Sequence, residues 1–475
     1  MNTISLASRL ASARLANRQG AALLDSFAVV AFAVSSFLTL TTVGGFAMFV
    51  NRKDTIDAIM AENLGIDPQI TMSAGVSYVI FASIALALLI VPLFTLGTGA
   101  ARLGAQGRSK RLASLRLVGM TAGQVQRLAL VETLVQYVVG FLIGFVLYLV
   151  TAPAWHALSF EAVPIGVTEM ILPWWGMLAV FLVLGGLAAA STLLGLVQVS
   201  ISPLGVARRM NAGSVKMWRL VLLVVVAIVV FVVFSKFTDT QTMDEVLRVL
   251  IPGAIAVGIL ALAFNIAGPL FVQILARTRL GSKSATSLLA ARRIVDDPRA
   301  AWRNIGGVVL MGFVAAAATS LSVFSISDTV TVGMNVPLGQ DIDTFNRAMA
   351  VDVVKGVMVA FAFSLIIGAV STMIQQASDV FDRAGEEKAL VQMGAPMKTF
   401  YGTRLKQVMW PFGVTMILAV LVGALPGMAF QQGDKSNMIV LAVMVLLGVV
   451  ITLVPVLLTR PIERRVLLSQ ARRND

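Results

Sequence analysis

Residues 173–198 read PWWGMLAVFLVLGGLAAASTLLGLVQ, a stretch without a single charged side chain. About 20 apolar residues are enough for an α-helix to cross the hydrocarbon core of a bilayer. Because lipid offers no hydrogen-bond partners to the backbone, such a segment is expected to be helical. The stretch therefore predicts a transmembrane α-helix.

Ten apolar runs of this kind recur along the 475 residues. Hydrophobic residues make up 58% of the chain and charged residues only 13%, against about 45–50% and about 25% in an ordinary soluble domain. We predict an all-α integral membrane protein with about ten transmembrane helices. The runs are residues 24–50, 72–98, 130–151, 173–198, 217–235, 247–276, 304–326, 348–375, 408–430 and 437–459.

The composition excludes several kinds of site. The chain has no cysteine, which rules out disulfides, thiolate metal sites and cysteine nucleophiles. Its single histidine, His156, has no Asp, Glu or His near it at metal-ligand spacing, so we expect neither a metal nor a catalytic residue. The net charge of +13 fits basic loops of a membrane protein, and we expect no nucleic-acid partner.

Charge is distributed unequally between alternate loops. With a cytoplasmic N-terminus, every large basic cluster falls on the inner side, and the outer segments are acidic or sparsely charged. The positive-inside rule then predicts a multi-pass protein of the cytoplasmic membrane with both termini in the cytoplasm. The inner clusters lie within residues 9–18, 102–116, 208–209, 277–299 and 460–473.

One short motif occurs twice. The inner segment SKRLASLRLVGMT, residues 109–121, precedes the third apolar run, and GEEKALVQMGAP, residues 385–396, precedes the ninth. Aligning Gly119 with Gly394 places the two motifs in equivalent positions of two four-helix sets. We expect each motif to form a short helix across the cytoplasmic face, ended by the glycine in a left-handed conformation.

The residues after each glycine predict the start of the next helix. Thr121 and Gln124 have the spacing of a capping box, and Pro396 suits a first helical position. The i, i+3 stripes on the short helices predict a docking surface for a cytoplasmic partner. An ordinary inner loop with a helix lying along the membrane is the alternative. The docking surface comprises Leu112, Leu115, Arg116, Val118, Gly119, Met120, Glu387, Leu390, Met393 and Gly394.

These features predict a 4+2+4 arrangement with a pseudo-two-fold repeat. The repeats are parallel, since an even number of helices separates them. The predicted parts are an interfacial amphipathic helix at 1–23, a first four-helix unit at 24–209, a two-helix linker at 210–280, a second interfacial helix at 281–303 and a second four-helix unit at 304–475.

The first motif resembles a known family. Residues 115–128, LRLVGMTAGQVQRL, followed by LVE at 130–132 and a helix with Gly140 and Gly144, are similar to the FtsX-like (MacB-type, type VII) ABC transporter permeases. Residues 201–209 and 288–293 resemble further elements of these proteins. The second copy departs from the family's pattern at three positions, Pro396, Lys398 and Lys406.

The resemblance implies a permease subunit and not an enzyme. Two copies of a separate cytoplasmic ATP-binding subunit would dock on the short helices and bind ATP and Mg²⁺, while this chain binds no cofactor. In agreement, the sequence contains no G-x-x-x-x-G-K-[ST] phosphate loop. The other expected partner is membrane lipid.

The outer segments at 51–71 and 327–347 are shorter than the about 50 residues of a folded domain. This favours ATP-driven export or extraction of a hydrophobic or amphipathic substrate, such as a drug, an antimicrobial peptide or a lipid. One alternative is a transmembrane regulator of a cell-wall hydrolase or sensor kinase, acting on an extracytoplasmic protein. The other is an ion-coupled secondary transporter, which the scarcity of ionisable residues in mid-membrane disfavours.

By the same family likeness, a substrate path would lie where the first two helices of each unit meet. The alternative is that these aromatic side chains face lipid or pack in the core. The candidates are Phe46, Phe49, Phe81, Phe324 and Phe363.

Overall fold

A computed structural model of the protein describes residues 21–71, 74–117, 120–160, 163–200, 218–235, 243–322, 339–429, 435–458 and 460. These residues are almost entirely helical. The helices are α1 (Ala21–Arg52), α2 (Ile56–Leu64), α3 (Pro68–Thr71), α4 (Ala74–Leu117), α5 (Ala122–Thr151), α6 (Trp174–Ser200), α7 (Trp218–Ser235), α8 (Met243–Arg277), α9 (Ala285–Asp296), α10 (Pro298–Ser322), α11 (Gly339–Asp382), α12 (Ala384–Gln392), α13 (Met397–Ala429) and α14 (Lys435–Leu458). A 3₁₀ helix (Ala152–Ala157) and a two-stranded hairpin, β1 (Ser159–Phe160) and β2 (Val163–Pro164), follow α5.

Seven helices in the described part are long and apolar enough to cross a membrane: α1, α4, α5, α6, α8, α11 and α13. Shorter apolar segments occur in α10 (Ile305–Ala317) and α14 (Val445–Leu457). The chain is thus a helical, multi-pass membrane protein. Of the ten predicted transmembrane helices, seven correspond to helices in the described part that are long and apolar enough to cross a membrane. The predicted interfacial helix at 1–23 lies mostly outside the described residues.

Two sets of four helices share one packing pattern. In the first set α1 packs on α4, α5 and α6, while α6 also contacts α4 and α5. In the second set α10 packs in the same way on α11, α13 and α14, while α14 also contacts α11 and α13. The sets meet where α11 packs on α4 and α1, and α8 packs on α4 and α10.

Glycine allows close backbone contact between helices in both sets. A Cβ at Gly144 of α5 would lie 2.4 Å from the Ala33 carbonyl oxygen of α1, and a Cβ at Gly423 of α13 would lie 2.5 Å from the Phe313 carbonyl oxygen of α10. Small residues let the backbones of membrane helices approach closely, and dispersion contacts then hold them together. In each set, therefore, one helix pair packs closely because a glycine at the contact has no side chain.

Several helices extend beyond their apolar runs. An α-helix rises 1.5 Å per residue, so the 44-residue helices α4 and α11 are each about 66 Å long, roughly twice the hydrocarbon thickness. We call the end of the bundle with Arg293 and Arg404 the basic end, and the end with Asp57 and Glu169 the acidic end.

The predicted second interfacial helix at 281–303 is divided in the structure. The backbone of Asp297 is not helical (φ −138°, ψ 79°), and its carboxylate accepts a hydrogen bond from the Ala300 N–H at 3.0 Å. Pro298 follows as the first residue of α10. An N-cap aspartate followed by proline starts a new helix. Residues 298–303 therefore belong to α10, and the separate helix is α9 alone.

Short elements cover the acidic end of the first set. α2 ends at Gly65 in the left-handed conformation, and Met60 and Ile66 pack with Tyr78 of α4 and Phe345 of α11. Between α1 and α4 the described chain forms the two short helices α2 and α3 and no larger domain. This agrees with the short outer segment expected from the sequence.

Candidate functional site

The second copy of the repeated motif forms a separate short helix at the basic end. α11 ends at Asp382, α12 covers Ala384–Gln392, and α13 begins at Met397. Gly394 has φ +93°, and the Ala395 N–H donates to the Leu390 carbonyl at 3.0 Å. This is the glycine-terminated helix end known as a Schellman motif. The predicted left-handed Gly394 is therefore confirmed, and Pro396 stands one residue before the next helix.

A buried ion-pair cluster holds α12 against its neighbours. Glu387 is 1% exposed, and its carboxylate accepts hydrogen bonds from Arg404 of α13 at 3.0 and 3.1 Å and from Arg293 of α9 at 3.1 Å. Burial lowers the pKa of Arg293, and the charge of Glu387 acts in the opposite direction. Because a buried charge without a partner is costly, this cluster fixes α12 to two other helices.

A second face of α12, next to that of Glu387, is exposed. Leu390 is 36% exposed and Met393 is 74% exposed. Glu387, which the i, i+3 spacing groups with them, is instead directed into the protein, so it contributes anchoring and not exposed surface. We call Leu390 and Met393, with the neighbouring exposed Ala389, the α12 free face.

The first copy of the motif is built differently. α4 continues without a break from Ala74 to Leu117, so the expected separate short helix does not form there. The sequence from 99 to 117 contains glycines but no proline, and nothing in it forces α4 to end. This final part of α4 contains Leu112, Leu115 and Arg116, whose side chains lie outside the described part of the structure. Val118 and Gly119 lie outside the described residues.

The helix after the first motif starts as predicted. The Gln124 N–H donates to the Thr121 hydroxyl at 3.3 Å, and the Thr121 N–H donates to the Gln124 side-chain oxygen at 3.0 Å. Both halves of the capping box are present. Met120 is half-buried and packs against Val125, Leu128 and Ala129 of the first turns of α5.

The proposed aromatic path is not one surface in the described part. Phe49 stacks on Tyr78, with ring centroids 5.9 Å apart, and meets Phe160 edge to face. Phe363 is buried and meets Trp155 edge to face. Phe46 is half-buried, Phe81 is 39% exposed, and Phe324 lies outside the described residues. No ring contact joins Phe46, Phe49, Phe81 and Phe363 to one another among the described residues.

A polar cluster joins the two sets near the acidic end. Asp352 of α11 is 5% exposed and accepts hydrogen bonds from the Tyr78 hydroxyl and the Lys355 ammonium, both at 2.8 Å. Lys355 also donates to the Ser159 carbonyl of the hairpin at 2.8 Å. The cluster therefore ties α4 and the hairpin of the first set to α11 of the second.

Another ion pair orders the loop that follows the hairpin. The Arg52 guanidinium donates to the Glu169 carboxylate, with Nε at 3.1 Å, and to the Pro164 carbonyl at 2.8 Å. Partial burial raises the pKa of Glu169. The hydrogen bonds from Arg52 and the Gly166 N–H, together with the charge of Arg52, outweigh burial, so the pKa of Glu169 is below its ordinary value.

Sequence reasoning missed the partners of these buried groups. Arg293 was visible only as a member of a basic segment and Arg404 was not singled out, and their shared partner Glu387 is 94 and 17 residues away in sequence. The one signal in the sequence was a glutamate within an inner segment rich in Lys and Arg. Such a carboxylate readily forms an ion pair with a nearby cation.

Comparisons with known proteins do not identify the chain. No model of a known protein family matches it, and no curated protein matches it.

Proposed function

We propose that the chain is the membrane subunit of an ATP-driven ABC transporter of the FtsX-like (MacB-type) kind. In this proposal two copies of a separate ATP-binding subunit dock at the basic end and bind ATP and Mg²⁺. Their closure is transmitted through the helices to export or extract a hydrophobic or amphipathic substrate. The basic end then lies in the cytoplasm and the membrane is the cytoplasmic membrane.

The observation that carries the proposal is the construction of α12. A nine-residue helix is separated from both long neighbours, fixed by a buried carboxylate and two guanidinium groups, and left with an apolar face exposed. A partner pressing on the α12 free face would move α9 and α13 with it, because Glu387 binds both. Transmission of force from a soluble motor requires a docking helix that is attached to the membrane helices in this way.

The shared packing of the two sets supports two docking positions. The matching positions of α4–α5 and α11–α13 would present one motif from each set at the basic end. The first copy differs, since α4 reaches Leu117 as one helix. We therefore propose that the first position is presented by the end of a long rigid helix and the second by the anchored lever α12.

The test uses charge on the α12 free face. Leu390→Asp places a carboxylate in the proposed apolar contact and should release the ATP-binding subunit during purification in mild detergent, while the chain still inserts. Gln392→Asp is the matched control, because Gln392 is exposed on the same helix and, two residues further on, lies about 160° around the helix axis from Leu390. Equal retention of the partner by wild type and Leu390→Asp would contradict the proposal.

An ion-coupled transporter is the second candidate, and one observation favours it. Asp352 is buried between the two sets, and buried carboxylates in membrane proteins often mark ion or proton paths. Asp352→Asn would abolish transport driven by an ion gradient if this candidate were correct. If the ATP-driven proposal is correct, Asp352→Asn should retain transport that depends on ATP.

A further inference from the structure

A small groove lies at the basic end between α9 and α13. Its volume is about 180 Å³, smaller than the roughly 300–1,000 Å³ of pockets for drug-sized ligands. The lining combines two cations and a hydroxyl with apolar side chains and one indole. The lining residues are Arg279, Ser287, Ala290, Ala291, Ile294, Lys406 and Trp410.

Among the described residues, the cations of this groove have no acidic partner. The Lys406 ammonium donates to the hydroxyls of Thr286 and Ser287 at 2.7 and 2.8 Å, and the Arg279 guanidinium lies over the Trp410 ring at 5.0 Å. Within the described part of the chain, no carboxylate forms an ion pair with Lys406 or Arg279. Neutral groups thus position these two positive charges in the part of the chain that the structure describes.

The sequence beside the groove changes from polar to apolar. The apolar run of α13 begins at residue 408, between Lys406 and Trp410. These two side chains are one helical turn, or about 6 Å, apart along the axis. Tryptophan concentrates at the membrane–water boundary, and basic pockets between helices at such a boundary suit anionic headgroups. The apolar wall of alanines and isoleucine is where an acyl chain could continue.

We propose that this groove holds the phosphate of an anionic phospholipid. Lys406 and Arg279 bind the phosphate oxygens, the hydroxyls of Thr286 and Ser287 complete the polar side, and Trp410 packs along the glycerol and first acyl carbons. The lipid would join α9 to α13 in addition to their link through Glu387. This inference requires only that the chain spans a bilayer, and it is independent of the proposed motor.

Quenching of Trp410 fluorescence by brominated lipid tests the proposal. The full chain is placed in nanodiscs of phosphatidylcholine that contain brominated phosphatidylglycerol or brominated phosphatidylcholine. Subtracting the signal of Trp410→Phe isolates this indole. We expect brominated phosphatidylglycerol to quench at a lower mole fraction, and Lys406→Gln to reduce that preference about fivefold.

The controls separate this site from general surface charge. Lys398→Gln removes an exposed lysine of the same helix and should keep the preference, and Lys406→Arg should keep it as well. The proposal is overturned if Lys406→Gln retains the full preference, or if Lys398→Gln loses it equally. It is also overturned if millimolar inorganic phosphate removes the preference, since the groove would then be a site for free anions.

Discussion

Replacing Glu387 by glutamine is the sharpest perturbation of the α12 anchor. The substitution keeps the size of the side chain and removes the charge that Arg293 and Arg404 share at 3.0–3.1 Å. Arg404 is only 3% exposed and would remain as a buried charge. Breaking a buried pair in this way costs about 3–5 kcal/mol. The equilibrium for opening α12 should therefore rise by roughly a hundredfold to several thousandfold.

Amide hydrogen exchange of peptides covering residues 384–396 measures this opening directly. Glu386→Gln is the control, because it makes the same chemical change at an exposed neighbour and should alter the opening free energy by no more than about 0.5 kcal/mol. Replacing all three charges by apolar residues, Glu387→Leu with Arg404→Met and Arg293→Met, should recover much of the loss. Exchange in Glu387→Gln equal to that of wild type would refute the anchoring role.

Three further predictions concern other described parts of the chain. Gly394→Ala should destabilise the end of α12 by about 1–2 kcal/mol, because its φ is +93°, while Gly385→Ala in open space should not; hydrogen exchange of α12 distinguishes them. Gly144→Ala should separate α5 from α1 at a cost of about 1–3 kcal/mol, whereas Gly123→Ala, with no atom within 4 Å, should be neutral in thermal unfolding. Because the pKa of Glu169 is lowered in the folded protein, its stabilisation is complete above the unfolded pKa of about 4.3 and is lost as the pH falls through the folded pKa. Thermal unfolding is measured between pH 6 and 3. The wild type should lose this stabilisation as the pH falls, and Glu169→Gln should not.

Local signals in the sequence were sufficient for several features. The capping box of Thr121 and Gln124 and the left-handed Gly394 depend on neighbouring residues alone, and both occur as predicted. Apolar runs located the seven membrane-crossing helices because lipid imposes one simple rule on them. Pro396 predicted the start of α13 to within one residue, whereas the start of α10 at Pro298 was missed because it lies outside the apolar run.

Features that depend on distant contacts could not be predicted. Glu387 was assigned to a partner-facing stripe because spacing alone does not show which face of a helix is occupied. Its burial is decided by Arg293, which lies on another helix. Similarly, Phe49 packs with Tyr78 and Phe160, a grouping produced by the folding of the hairpin over the bundle.

The most direct test of the proposed function is affinity purification of the chain from its native host in mild detergent, with mass spectrometry of the proteins that accompany it. The account predicts an ATP-binding subunit at two copies per chain, lost when Leu390 is replaced by aspartate. A chain that reproducibly purifies without any ATPase, while remaining folded and active in transport, would contradict the account.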